Sequence, residues 1–274
     1  MSLWLRRSAR PRVFDDQIYQ ALIRQGDVVF DVGANVGEVS AYLSKVSGPS
    51  GRIFAFEPFW PAYQALCASI ENRSRRGATI VPLPFGLADE EMARPLSVPD
   101  GDSRVASLAP PEAWKAIHGS VTIDTYRCAF VRLDAFLRVT GAPHPAFVKI
   151  DVEGAELLVL KGAGEILQSS TQPLMLIEVF APWEKAFGYQ PWAVLSYLSS
   201  YGYSFLFACP DGLVEYTPTA GQPFPAEFAR GYNLVAFNPQ SHAHRIESLE
   251  ELRLGGGKTI LPIPAPPEPN IISA

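Results

Sequence analysis

Asp27-Val28-Val29-Phe30-Asp31-Val32-Gly33-Ala34-Asn35-Val36-Gly37 is the stretch that decides the fold. Asp27 to Val32 reads as a short buried strand, because its apolar residues form a run instead of alternating with polar ones. Gly33 to Gly37 is a glycine-rich turn, and the apolar-periodic segment Val39 to Val46 that follows reads as a helix. Strand, glycine turn and helix in direct succession form the opening unit of a nucleoside-binding sheet.

The same unit recurs downstream. Gly48-Pro49-Ser50-Gly51 breaks the chain, Arg52 to Glu57 is a second strand ending on an acid, and Pro58 and Pro61 open a helix through Asn72. Further strands are expected at Ala78 to Pro82, Ala146 to Asp151 and Leu174 to Val179, with helices at Ala155 to Gln168 and Trp192 to Ser200. The last two strands are read at Ser204 to Ala208 and Asn233 to Phe237. Alternation of this kind predicts an α/β, doubly wound, mainly parallel sheet of about seven strands, with the last strands antiparallel. Residues 27–240 form the predicted domain, with a Pro-rich insertion around 90–133 that fits the alternation poorly and carries short β-like pieces near Ser120 to Thr125. Residues 1–26 are read as an N-terminal extension, and 241–274 as a helix at Glu247 to Leu254 followed by a Pro-rich tail.

Composition narrows the function. The 274 residues are 47% hydrophobic and 19% charged, enough for one large core. A net charge of −5 offers no general attraction to nucleic acid, whose binding depends on neutralising phosphates with Lys and Arg. Three scattered cysteines suggest neither a disulfide framework nor a zinc site. The Arg6, Arg7, Arg10 and Arg12 cluster reads as a solvated arm, with no apolar signal core after it and no membrane-spanning run elsewhere, so a cytoplasmic location is expected. His118, His144, His242 and His244 lie in polar or Pro- and Gly-rich surroundings and are read as solvated. Gly255-Gly256-Gly257-Lys258-Thr259 imitates a phosphate loop, but Leu252 stands where that loop needs its first glycine.

Charge distinguishes the ligand of the glycine turn. A dinucleotide would set an anionic pyrophosphate beside Asp31, which opposes it. S-adenosylmethionine carries a sulfonium and an ammonium against one carboxylate, so Asp31 favours its methionine part directly or through water. Gly33 and Gly37 are expected to allow positive φ and close approach of a ligand, and Asn35 tolerates left-handed geometry. Glu57, twenty residues after Gly37, is placed to accept hydrogen bonds from ribose hydroxyls, and Asp89 is a weaker candidate near the adenine amino group.

Three segments resemble the FkbM family of S-adenosylmethionine-dependent methyltransferases: Asp31 to Gly37, Gly51 to Pro58, and Val148-Lys149-Ile150-Asp151-Val152-Glu153-Gly154-Ala155-Glu156 continuing to Ala163. The resemblance spans roughly Val28 to Phe237 and includes Arg132-Leu133-Asp134 and Ile177-Glu178. It implies a Rossmann-like class I methyltransferase fold, cofactor contact by Asp31, Gly33, Asn35, Gly37 and Glu57, and O-methylation of a sugar, glycan or secondary metabolite.

A neutral alcohol is a weak nucleophile, so an acid near the methyl group is sought; a well-placed base contributes roughly 10²–10⁴-fold. Asp151 at the end of its strand is the first candidate for base or acceptor orienter and Glu153 the second, with Lys149 to hold them. Glu156 reads as helix surface, and Glu178 could join Asp151 on a divalent cation, although no metal site is specified. Two rival readings are a non-catalytic S-adenosylmethionine-binding protein and an NAD-dependent oxidoreductase.

Overall fold

The computed structural model describes residues 12–71, 77–118, 121–189, 192–209, 212–216 and 232–252. The arginines before residue 12, the 255–259 segment and the Pro-rich tail lie outside the described residues.

Strands β1 (Val28–Val32), β2 (Arg52–Phe56), β3 (Thr79–Leu83), β7 (Phe147–Ile150), β8 (Leu174–Val179), β9 (Ser204–Cys209), β10 (Gly212–Tyr216) and β11 (Tyr232–Phe237) form one sheet in the order β3-β2-β1-β7-β8-β11-β9-β10. β1 pairs in parallel with β2 and β7, β2 with β3, and β7 with β8, while β11 runs antiparallel to both β8 and β9. The architecture is therefore the doubly wound, mostly parallel sheet read from the sequence. β10, antiparallel to β9, brings it to eight strands. Strand order reverses beside β1, whose neighbours are β2 and β7, and such a switch point opens a crevice at the carboxyl ends of the strands.

Alternation along β1 distributes its side chains. Phe30 and Val32 join a core with Phe54, Phe56 and Phe136, whose rings meet edge to face at 5.1–6.1 Å. Such aromatic pairs add roughly 0.5–1.5 kcal/mol each beyond area burial. Val29 faces the opposite core, shared with Ile18 and Leu22 of α1 (Arg12–Leu22) and Leu43 of α2 (Glu38–Ser47). Ile246 and Leu249, from α10 (Ala243–Ile246) and the 3-10 turn Glu247–Leu252, complete that side. Both terminal segments thus share one core with residues 27–240, and Arg245 pairs with Asp27 across it. The single helix expected at Glu247 to Leu254 is instead this short helix and 3-10 turn.

The 90–133 region is more regular than its prolines suggest. β4 (Gly86–Leu87), β5 (Met92–Pro99) and β6 (Ile123–Val131) form a second sheet in the order β4-β6-β5. Pro95 and Pro99 are tolerated because β5 is an edge strand, where a missing N–H breaks no central ladder.

The helix expected over Ala155 to Gln168 is divided into α6 (Glu156–Lys161) and α7 (Gly164–Gln168). Asp134, of α5 (Leu133–Thr140), explains the break by accepting hydrogen bonds from the amides of Glu165 (3.1 Å) and Ile166 (3.3 Å) in the first turn of α7.

His242 is not a solvated histidine. It is 7% exposed, Nδ1 accepts the Asn238 amide at 2.9 Å, and Nε2 lies 2.8 Å from the Gln172 carbonyl. An acceptor at Nδ1 puts the proton on Nε2, which donates to that carbonyl.

Candidate active site

A cavity of about 300 Å3 opens at the carboxyl ends of β1, β2 and β7. Val32 to Val36, Glu38, Glu57 and Pro58 line one side, and Lys149, Asp151, Val152, Glu153 and Ala155 another. The small sheet and the connection between β5 and β6 supply Leu96, Ser103, Arg104, Ala106, Leu108 and Phe130. These last residues carry no motif. Their only sequence signal is position in an insertion beside the glycine turn.

Glu57 organises the turn. Its Oε2 accepts the Asn35 amide at 2.7 Å and Oε1 the Phe59 amide at 2.8 Å, leaving lone pairs on both oxygens. Asn35 holds φ 49, and its Oδ1 accepts a hydrogen bond from Ser103 Oγ at 3.0 Å. Burial pushes the Glu57 carboxyl up to about 7 against the opposing pull of these two amides.

Gly33 is required by the protein itself. With φ +85, its β-carbon would stand 1.9 Å from the Asp151 carbonyl oxygen. Gly37 does not line the cavity; a β-carbon there would meet Leu66 of α3 (Trp60–Glu71) at 2.4 Å. At both glycines the protein itself makes a close approach.

Asp31 does not line the cavity either. It is fully buried, with Ser40 Oγ donating to its Oδ2 at 2.5 Å. Alternation explains this, since the side chain of Asp31 lies on the same face of β1 as that of Val29, toward α2. The β1–β7 register sets Asp31 opposite Lys149, whose Nζ lies 3.8 Å from Asp31 Oδ1 and 3.1 Å from Asp151 Oδ2. Burial works against the lysine charge, but the Asp151 and Asp31 carboxylates outweigh it and the pKa of Lys149 is raised. Burial likewise raises Asp31, opposed by Lys149 and Ser40. Asp31 Oδ1 is buried and accepts no hydrogen bond among the described residues.

Asp89 lies outside the cavity lining, with its carboxylate on Arg94 at 2.8 Å and its carbonyl on Arg132 at 2.8 Å. Glu153 lines the cavity with φ 53, past the end of β7, so strand alternation does not place it. Glu178, next to last in β8, is half-buried and in register with Asn233. Among the described residues no group of three or more His, Cys, Asp or Glu is arranged to hold a metal ion. No helix among them is long and apolar enough to cross a membrane.

A family model described as a methyltransferase FkbM domain matches residues 31–205, which take in the turn, Glu57 and the Lys149–Glu156 loop. The chain belongs to the FkbM methyltransferase domain family. It is 32% identical over 162 residues to the hexuronic acid methyltransferase AglP of Haloferax volcanii, covering 57% of each chain. It is 29% identical over 182 residues to the 31-O-demethyl-FK506 methyltransferase FkbM of Streptomyces tacrolimicus, covering 55% of this chain and 65% of that one. The matched part thus spans little more than half the length of the first of these relatives. A solved structure of methyltransferase FkbM from Methylobacillus flagellatus superposes with a TM-score of 0.45 at 17% identity, over 77% of this chain and 43% of that one.

Proposed function

We propose that the chain is an S-adenosylmethionine-dependent O-methyltransferase whose acceptor is a hydroxyl of a sugar, glycan or secondary metabolite. The observation that carries this reading is Glu57, a buried carboxylate at the end of β2 whose two oxygens each hold one amide of the turn region and keep lone pairs for vicinal hydroxyls. The named activities of the two relatives, on a hexuronic acid and on an O-demethylated compound, support a hydroxylated acceptor.

The residues suit such a cofactor. Glu57 would hold the ribose hydroxyls, and the Gly33–Asn35 backbone would flank the nucleoside. At the cavity Lys149 and Asp151, with the buried Asp31, together carry one net negative charge when ionised, which favours a cationic sulfonium over a pyrophosphate. When bound, the cofactor supplies an activated methyl group. The protein then has to align the acceptor oxygen, exclude water and receive its proton.

Asp151 is the proposed proton acceptor. Its side chain is 28% exposed at the cavity, so an acceptor hydroxyl can reach it, and Lys149 fixes one of its oxygens. Glu153, less exposed, is the second choice. Leu96, Leu108 and Phe130 from the small sheet and its β5–β6 connection form apolar walls that limit water around the reacting groups.

Thermal unfolding with S-adenosylmethionine, S-adenosylhomocysteine and NAD tests the cofactor directly. At 100 times its dissociation constant a ligand adds about 2.7 kcal/mol of stability. Shifts with the two sulfur nucleosides alone, reduced in Glu57→Ala, are expected, followed by methyl transfer to a hydroxylated acceptor. A shift with NAD alone would overturn the reading.

A further inference from the structure

Between β7 and α6 the chain turns through two consecutive residues with left-handed backbone, Glu153 at φ 53 and Gly154 at φ 101. L side chains rarely adopt this conformation, so the surroundings must impose it. Three side chains do so. Ser107 Oγ donates to the Glu153 carbonyl at 2.6 Å, and the Tyr189 hydroxyl donates to the Gly154 carbonyl. Glu156 supplies the third hold from within the loop's own exit: Oε1 accepts the Gly154 amide at 3.0 Å and, more loosely, the Val152 amide at 3.4 Å.

Glu156 is 2% exposed and does not line the cavity, so it differs from the surface residue that its place at a helix start suggests. Its second oxygen is buried and has no hydrogen-bond partner among the described residues. A buried carboxylate is costly unless hydrogen bonds offset its desolvation, and here those bonds also shape the segment carrying Asp151 and Glu153. The same segment meets Gly33 through the Asp151 carbonyl, but the Asp151 amide is itself held by the Val32 carbonyl at 3.0 Å, so this contact with the glycine turn does not depend on Glu156.

We propose that Glu156 is a positioning residue, whose carboxylate fixes the Asp151–Gly154 loop and thereby sets the two candidate acids at the cavity. The inference deepens the methyltransferase reading and rests on it for the catalytic consequence, but the geometric claim has its own readout. Misplacement of a reacting group by about 1 Å costs on the order of 10²-fold in rate, so a loosened loop is expected to lower kcat by about 10- to 100-fold.

The experiment compares Glu156→Met, which keeps the volume without an acceptor, with Glu156→Gln, which keeps one acceptor oxygen. Amide hydrogen exchange at Val152 and Gly154 is measured in both, together with S-adenosylhomocysteine binding and methyl transfer. In Glu156→Met the two amides are expected to exchange faster and kcat to fall, while the S-adenosylhomocysteine dissociation constant changes by less than about threefold. Glu156→Gln is expected to restore Gly154 protection and most of kcat. Wild-type protection at both amides in Glu156→Met, or a loss of thermal stability with kcat unchanged, overturns the proposal. Should Glu156→Met not fold, Tyr189→Phe must give the same separation of kcat from cofactor binding, and its absence counts against the proposal. If the wild-type protein transfers no methyl group, the activity reading fails, and the amide exchange still decides whether Glu156 holds the loop.

Discussion

A β-carbon on Gly33 would lie 1.9 Å from the carbonyl oxygen of Asp151, so the turn after β1 and the loop after β7 are packed to backbone contact. The two segments lie on adjacent strands in register, and the Asp151 amide donates to the Val32 carbonyl at 3.0 Å. The nucleoside side and the acceptor side of the cavity are therefore joined at Asp151, ahead of the Val152 and Gly154 amides that Glu156 holds.

Gly33→Ala consequently faces both an unfavourable positive φ and a backbone clash that no side-chain rotation relieves. A loss of more than about 3 kcal/mol, or failure to fold, is expected in urea unfolding. Gly37→Ala meets only the end of the Leu66 side chain at its closest contact and should cost less, although its φ of +87 remains unfavourable. Equal losses in both variants would refute this account of the contact.

Glu57→Gln presents an amide NH2 to one of two backbone N–H donors, Asn35 or Phe59, leaving a buried donor unsatisfied at about 1–3 kcal/mol. S-adenosylhomocysteine affinity should fall by tenfold or more. The wild-type carboxyl, raised to about 7 by burial, is also expected to bind ribose hydroxyls more weakly at pH 6 than at pH 8. For stability the sign is opposite. A pKa raised in the folded state gives a contribution fully present below the ordinary value near 4.5 and lost as pH rises through about 7, with a ceiling of about 3 kcal/mol. Calorimetric binding and urea midpoints across pH 4.5–8 check the two trends separately.

The strands on either side of the glycine turn were legible because β1, β2, β7 and β8 are apolar runs bounded by turn residues, and their alternation with helices implies a parallel sheet. Glu57 was legible from its spacing beyond Gly37. Asp31 is buried outside the cavity lining, with Ser40 on one oxygen and Lys149 beside the other, an arrangement that type and neighbourhood alone do not reveal. Asp89 lies outside the cavity lining on Arg94, five residues away on β5, a pairing that its place in a turn did not reveal. Ser103, Leu96 and Phe130 were not legible at all. Their arrival at the cavity depends on the pairing of β5 with β6, which joins Leu96 to Tyr126 and Met92 to Phe130 across a segment of irregular sequence.

His242 should make the fold acid-sensitive. Burial lowers its pKa from the ordinary 6.5, so its contribution is present above 6.5 and lost as pH falls through the lowered folded value. Protonation would also place a donor at Nδ1, facing the Asn238 amide. His242→Ala is expected to cost about 1–3 kcal/mol at pH 7.5 by orphaning that amide and the Gln172 carbonyl. Urea midpoints at pH 7.5 and 5.5 should differ less in the variant than in the wild type; an equal difference would show that other groups govern acid unfolding.

Lys149 and Asp151 separate stability from chemistry. Lys149→Met leaves Asp31 Oδ1 buried without its cation, and breaking a buried pair in this way costs roughly 3–5 kcal/mol. Because Lys149 is the chief opposition to the burial that raises Asp31, the variant is expected to take up a proton at Asp31 on folding, so the loss should grow as pH rises. Asp151→Asn keeps an oxygen for Lys149 to bond but removes the proton acceptor, so folding and S-adenosylhomocysteine binding should persist while kcat falls roughly 10²–10⁴-fold. Single-turnover methyl transfer in Asp151→Asn and Glu153→Gln decides between the two acids. A large loss only in the Glu153 variant would transfer the base role to that residue and leave Asp151 as the partner that fixes Lys149.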